Sequence, residues 1–259
     1  MTESNAPLLS VRGLGKRITL HILGGARVEP FSGVSFDVAP GEFVAIVGPS
    51  GSGKSSVVKA IHRTYLPTAG QAWYMRPGAT PVDLASANDR TIIDLRRREI
   101  GFVTQFLKVE PRVPAIDVVT RPLVLKGAAP ESARERAAEV LRQLDVPEHL
   151  WHSYPTLFSG GEQQRINIAR ALVAGPRLLL ADEPTSALDS MNTGRVVDAL
   201  IEARRQGLTL LGVFHDVALI ERIADRVIVM NHGTIEAQGR VGDVEIPRHE
   251  LHQEFAARV

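Results

Sequence analysis

Gly48-Pro49-Ser50-Gly51-Ser52-Gly53-Lys54-Ser55 has the spacing G-x-x-x-x-G-K-[ST] of a phosphate-binding loop. A triphosphate packs several negative charges into a small volume, and a loop whose residues all carry a Cβ cannot bring enough backbone N–H groups close to it. Glycines at Gly48, Gly51 and Gly53 let the chain curl with its amides pointing inward, and Pro49, Ser50 and Ser52 complete the cradle. Lys54 is then placed to reach the β and γ phosphates, and the Ser55 hydroxyl to ligate Mg²⁺. On the upstream side Phe43-Val44-Ala45-Ile46-Val47 reads as a buried strand. Downstream, Ser56 opens a predicted helix over residues 56–63 that aims its positive end at the anion. The motif predicts nucleotide binding and does not choose among kinases, GTPases and ATPases.

With 259 residues, 44% of them hydrophobic, the chain suits one large α/β domain spanning 1–259. The net charge of +1 gives no electrostatic reason to expect a nucleic acid partner or an anionic membrane surface. Having no cysteine excludes disulfides, thiolate metal sites and cysteine nucleophiles. The short polar N-terminus lacks the apolar core of a signal peptide, and the apolar runs, such as residues 208–214, fall well short of a membrane span. A soluble, cytoplasmic protein is expected, acting on any membrane process through a partner.

Periodicity fills in the frame. Residues 8–12 and 34–38 alternate apolar and polar side chains, as half-buried antiparallel strands do, while 70–75 and 100–103 read as further strands separated by polar, turn-rich sequence. Residues 132–144 place Ala133, Ala137, Val140, Leu141 and Leu144 on one helical face. The runs 178–181 and 227–230 are wholly apolar, and 209–214 is apolar after Thr209, the pattern of central parallel strands. The predicted fold is α/β, a P-loop NTPase core with a mostly parallel sheet, an antiparallel N-terminal β subdomain and a helical subdomain at about 105–165.

Asp182 and Glu183 directly follow the 178–181 run, so both carboxylates leave the carboxyl end of a parallel strand, where ligands of such sheets bind. Asp182 suits a hold on Mg²⁺, and Glu183 suits polarising a water for in-line attack on the γ-phosphate. A solvated acidic pair is the bland alternative. In Ser159-Gly160-Gly161-Glu162-Gln163-Gln164 the bland reading is a capping box, Ser159 capping and Glu162 reaching back, ahead of a stripe of Ile166, Ala169, Leu172 and Val173. Two consecutive glycines are superfluous for a cap, but they suit a helix start that a phosphate approaches closely.

With these runs in this order, the chain resembles the ABC ATPase family over residues 8–240. Ser159, Gly160, Gly161 and Glu162 look like the start of its signature motif, which in that family contacts ATP held on the opposite subunit. Ser186-Ala187-Leu188-Asp189 resembles the D-loop, which adds Asp189 to the nucleotide-facing residues. Gln105 matches the Q-loop glutamine, implying a part in catalysis and in Mg²⁺ binding beside Ser55 and Asp182, and His215 matches the switch histidine near the γ-phosphate. The resemblance implies an ATPase using ATP and Mg²⁺, with Glu183, His215 and Gln105 catalytic, that works as a nucleotide-sandwich dimer with itself or a related ATPase. The chain departs from the family pattern at Ile18, where a ring that stacks on adenine is expected; Phe31 and His21 are other candidates to cover the base. Phe158 and Glu162 are milder departures at the signature.

Within the family, Gln105-Phe106-Leu107-Lys108-Val109-Glu110-Pro111-Arg112-Val113 and Val146-Pro147-Glu148-His149-Leu150-Trp151-His152 look like the ATP-binding subunit of the phosphonate carbon–phosphorus lyase assembly. That resemblance implies soluble lyase subunits as partners. The alternative is the cytoplasmic ATPase of a lipoprotein-release or macrolide-type exporter with membrane subunits, which shares the run from Ser159 to Arg165. Phe106, Leu107 and Val109 gather apolar side chains beside Lys108 and Arg112, either as a partner surface or as core under the helical subdomain.

Overall fold

The computed structural model describes residues 6–20, 25–76, 78–108 and 111–247. Residues 1–5, 21–24 (with His21), Pro77, Val109, Glu110 and residues 248–259 lie outside the described residues. The chain divides into two compact units, one of Met1–Ile92 with Thr209–Val259 and one of Ile93–Leu208.

The first unit holds an antiparallel sheet and a mostly parallel one. Strands β1 (Leu9–Leu20) and β2 (Ala26–Val38) pair antiparallel, and β4 (Ala69–Tyr74) and β5 (Val82–Asp83) extend that sheet in the order β2-β1-β4-β5. The expected strands at 8–12 and 34–38 are the inner ends of this longer hairpin, where Leu9, Val11, Val34, Phe36 and Val38 are buried. Strand β3 (Phe43–Val47) is buried along its whole length and ends at the glycine-rich loop, from which α1 (Lys54–Ile61) rises. It pairs in parallel with β8 (Thr209–Val213) and β9 (Arg226–Asn231), and β10 (Thr234–Arg240) closes back on β9 antiparallel through the His232-Gly233 turn. Helix α7 (Val217–Ile223) follows β8, with Asp216 accepting the Leu219 N–H as its N-terminal cap.

The second unit pairs β6 (Ile100–Val103) with β7 (Leu178–Asp182) in parallel. Around this pair run α3 (Ala115–Leu125), α4 (Pro130–Gln143), α5 (Gly160–Leu172) and α6 (Ser190–Arg205), of which α3, α4 and α5 pack on one another. Helix α4 buries Ala133, Ala137, Val140 and Leu141, the stripe expected of it, and starts with Pro130 in its first turn, where a missing N–H costs nothing.

The polar stretch before β6 is a correction. It carries α2 (Asp89–Arg98), which buries Ile92 and Leu95, with Asn88 Oδ1 accepting the Thr91 N–H at 2.9 Å as a cap. Only two of its ten residues are in the core, so charge dominates the pattern and hides the helical period. Helix α3 continues through Pro122, whose missing N–H interrupts its backbone ladder there.

Candidate functional site

In the first unit the glycine-rich loop is shaped by close approaches of backbone to backbone. Gly48 has φ 137, and a Cβ there would lie 2.0 Å from the Met230 carbonyl oxygen; Gly53 has φ 95, and a Cβ there would meet the Pro30 carbonyl oxygen at 2.3 Å. No other residue type fits either position. Lys54 is buried at the first position of α1, and its ammonium donates to the carbonyl oxygens of Gly48 and Pro49, each at 2.7 Å. Ser52 Oγ is buried in the same loop without a hydrogen-bond partner among the described residues. Ser55 and Ser56 are half-buried on the first turn of α1, and Pro49, Ser50 and Gly51 reach the surface.

His215 belongs to the same unit. Because Ile46 pairs with Val213 in the parallel β3–β8 ladder, the chain enters Gly48 and His215 from neighbouring strands at the same end of the sheet. Phe214 prolongs the contact, its N–H bonding Ile46 O at 3.4 Å. Ile18, on β1, pairs with Val28 on β2, and both are partly exposed, an aliphatic pair with no ring. Phe31 is 0% exposed, which removes it as a cover for a nucleobase.

In the second unit, the parallel pairing of Val103 with Ala181 sends residues 104–105 and 182–183 out of adjacent strands side by side. Asp182 is buried; Glu183 is half-buried and takes φ 53, a left-handed conformation that costs a residue with a Cβ about 1 kcal/mol or more. Ser186 steadies it, its N–H and Oγ both bonding Glu183 O, at 3.4 and 3.2 Å. Gln105 Nε2 donates to Glu183 Oε2 at 3.1 Å, so two residues named from separate motifs meet.

Ser159 caps α5 in the capping box that the bland reading foresaw. Its N–H and Oγ donate to Glu162 Oε2 at 2.9 and 2.8 Å, and Glu162 N–H returns to Ser159 Oγ at 3.4 Å. These bonds hold the Glu162 carboxyl below its ordinary pKa, the Ser159 hydroxyl contributing most and its backbone N–H next. Gly160 and Gly161 follow on the exposed first turn of α5, and a Cβ on Gly161 would come within 3.3 Å of Ala187 O. Asp189 caps α6, accepting Asn192 N–H and Asn192 Nδ2 at 2.8 Å each, which lowers its pKa. Phe158 is buried, so the unusual residue opening the signature is a packing residue.

Sequence reasoning passed over the polar face of α5. Arg165 bonds Asn192, and Gln164, Asn167 and Arg170 all reach the chain around Gln105. The signal was present as polar residues at helical spacing opposite an apolar stripe, but such a face is more often solvated. Among the described residues no three His, Cys, Asp or Glu side chains cluster to hold a metal ion, and no helix is long and apolar enough to cross a membrane.

The sequence model of the ABC transporter family matches residues 31–186. A Brucella ovis protein provisionally named a peptide import ATP-binding protein is 41% identical over 238 residues, 91% of this chain and 72% of that one. The lipoprotein-releasing system ATP-binding protein LolD of Hyphomonas neptunium is 37% identical over 230 residues, 88% of this chain and 96% of that one. Among solved structures, the dimeric post-hydrolysis state of the ATP-binding cassette MJ0796, bound to ADP and phosphate, superposes with a TM-score of 0.82 at 31% identity, covering 90% of this chain and 98% of that one. A glycine cradle with its lysine, a glutamate meeting a glutamine at the ends of parallel strands, and these relatives agree: the chain belongs to the ABC transporter family as its ATP-hydrolysing, ATP-binding cassette.

Proposed function

We propose that the chain is the ATP-driven subunit of a membrane transporter of the lipoprotein-release or macrolide-export kind, acting as a dimer of cassettes. One observation carries the choice: the lipoprotein-releasing cassette matches 88% of this chain over 96% of its own length, and the run from Ser159 to Arg165 resembles that of such exporters. The names of the relatives above support this reading over the phosphonate-degrading assembly suggested by residues 105–113 and 146–152.

In this reading the loop from Gly48 to Ser56 binds the ATP phosphates, and Lys54 moves its donors from the Gly48 and Pro49 carbonyls to phosphate oxygens. The Ser52 hydroxyl supplies a further donor from within the loop. Ser55 and Asp182 offer the hard oxygen donors that suit Mg²⁺ alongside phosphate, with Gln105 a third; bound there, the ion would neutralise phosphate charge. Glu183 takes the proton of the attacking water, Gln105 orients the Glu183 carboxylate, and His215 donates to γ-phosphate charge as it develops. Ser159, Gly160, Gly161, Glu162 and Asp189 face the nucleotide of a second cassette, and Ile18 lies against the base.

The partner surface includes Phe106, which is 69% exposed beside half-buried Leu107, so Phe106 itself is surface and not core. Affinity purification of the tagged protein in mild detergent should recover integral-membrane subunits. The double variant Phe106→Ala, Leu107→Ala should lose them while keeping ATP binding and thermal stability. Recovery of soluble phosphonate-degrading subunits instead, with growth on a phosphonate lost in the double variant, would overturn the transporter reading. Recovery of an importer's membrane subunits would redirect it toward the Brucella relative.

A further inference from the structure

We infer that Asn167 is a positioning residue: with Gln164 and Arg170 it fixes the turn at Thr104 that presents Gln105 to Glu183. The inference rests on the catalytic reading of Gln105 and Glu183 given above.

Asparagine is a poor helix former, and burying its amide is costly unless every polar group finds a partner. Asn167 nevertheless sits inside α5 at 0% exposure. Its Nδ2 donates to Thr104 O at 2.7 Å and lies 3.4 Å from both Thr104 Oγ1 and Gln164 Oε1, while its Oδ1 accepts from Arg170 Nη2 at 2.9 Å. Each member of the network also holds chain near the reacting groups. Gln164 Nε2 donates to Thr104 O at 3.3 Å, one residue before Gln105, and to Pro184 O at 3.0 Å, one residue after Glu183. Arg170 Nη1 donates to Lys108 O at 2.9 Å, gripping the far side of the same segment. Thr104 Oγ1 closes the turn onto Phe106 O.

The β6–β7 ladder ends at Val103 and Ala181, so no strand pairing fixes residues 104–108 against 183–184. Side chains at three positions spaced i, i+3, i+6 along one face of α5 take over that task. Their product is the 3.1 Å bond between Gln105 and Glu183. Were the network only a way of satisfying buried groups, it would have no reason to converge on the carbonyls that flank those two residues.

Steady-state ATPase assays and ATP binding on the full chain test the idea with Asn167→Asp, Gln105→Ala and the double variant. Asn167→Asp keeps the shape and the acceptor for Arg170 but loses both donors toward Thr104. It should lower kcat by about 10- to 100-fold, as a small misplacement of a catalytic group does, with ATP affinity within about twofold of wild type. On the Gln105→Ala background it should add no further loss, because the two act through one group. Asn167→Ala, which favours the helix, should behave alike and guards against a folding defect from a buried acid. Wild-type kcat in both Asn167 variants, or a loss that adds in full to that of Gln105→Ala, would overturn the inference alone. A Gln105→Ala variant with wild-type kcat would overturn the catalytic reading beneath it, and the inference with it.

Discussion

The Lys54 side chain, buried against the carbonyls of Gly48 and Pro49, stands in the glycine-rich loop that the proposed function assigns to the ATP phosphates. Replacing it by alanine removes charge-assisted bonds worth about 1.5–3 kcal/mol each, so Lys54→Ala should weaken ATP binding by about 100-fold or more in calorimetry. His215 answers to a different step. If it meets charge that grows only in the transition state, His215→Ala should keep ATP affinity near wild type and cut kcat by about 100-fold. A wild-type kcat in the assembled transporter would leave His215 a packing residue. Where the proposed function puts the base, Ile18 and Val28 offer aliphatic surface, so Ile18→Tyr should tighten ATP binding by about 0.5–1.5 kcal/mol through ring stacking. With Phe31 buried, no gain from that ring would mean that the base lies elsewhere.

Among the elements, α5 combines a cap, an apolar stripe and a polar face. Glu162 ties the cap to pH, because its pKa in the fold is lowered by bonds from Ser159 that the unfolded chain lacks. A lowered folded pKa contributes stability that is complete above the ordinary carboxylate range and fades as pH falls through the folded value. Denaturant unfolding should therefore show Glu162→Gln less stable than wild type at neutral pH, by about 0.5–1 kcal/mol for this partly exposed cap, with the gap closing in acid. A gap independent of pH would show that the carboxylate charge plays no part. Strand β3 and the apolar runs that became β7, β8 and β9 were legible because burial on both faces favours apolar residues there, the buried Asp182 and Thr209 standing at strand ends. The α2 helix was not, since its arginines and aspartates outweigh two buried positions.

For the whole molecule, the proposed function implies a site completed by a second cassette; the similar cassette MJ0796 is itself dimeric. If Ser159 and Gly161 reach the facing copy's ATP, nucleotide binds the dimer in preference to the monomer and shifts association by mass action. Glu183→Gln, which keeps the nucleotide and removes the base, should run as a dimer in size-exclusion chromatography with ATP and as a monomer without it. A monomer in both conditions, with any related cassette also supplied, would contradict the sandwich. The sequence by itself determined the phosphate loop, the acidic strand end, the signature cap and the α/β character, because each depends on residue types at short fixed spacing. Only the tertiary structure decided that Gln105 meets Glu183 across 78 residues and that Asn167 reaches Thr104 across 63. Such meetings depend on the pairing of β6 with β7 and on the face that α5 turns toward them, and neither leaves a periodic mark on the chain.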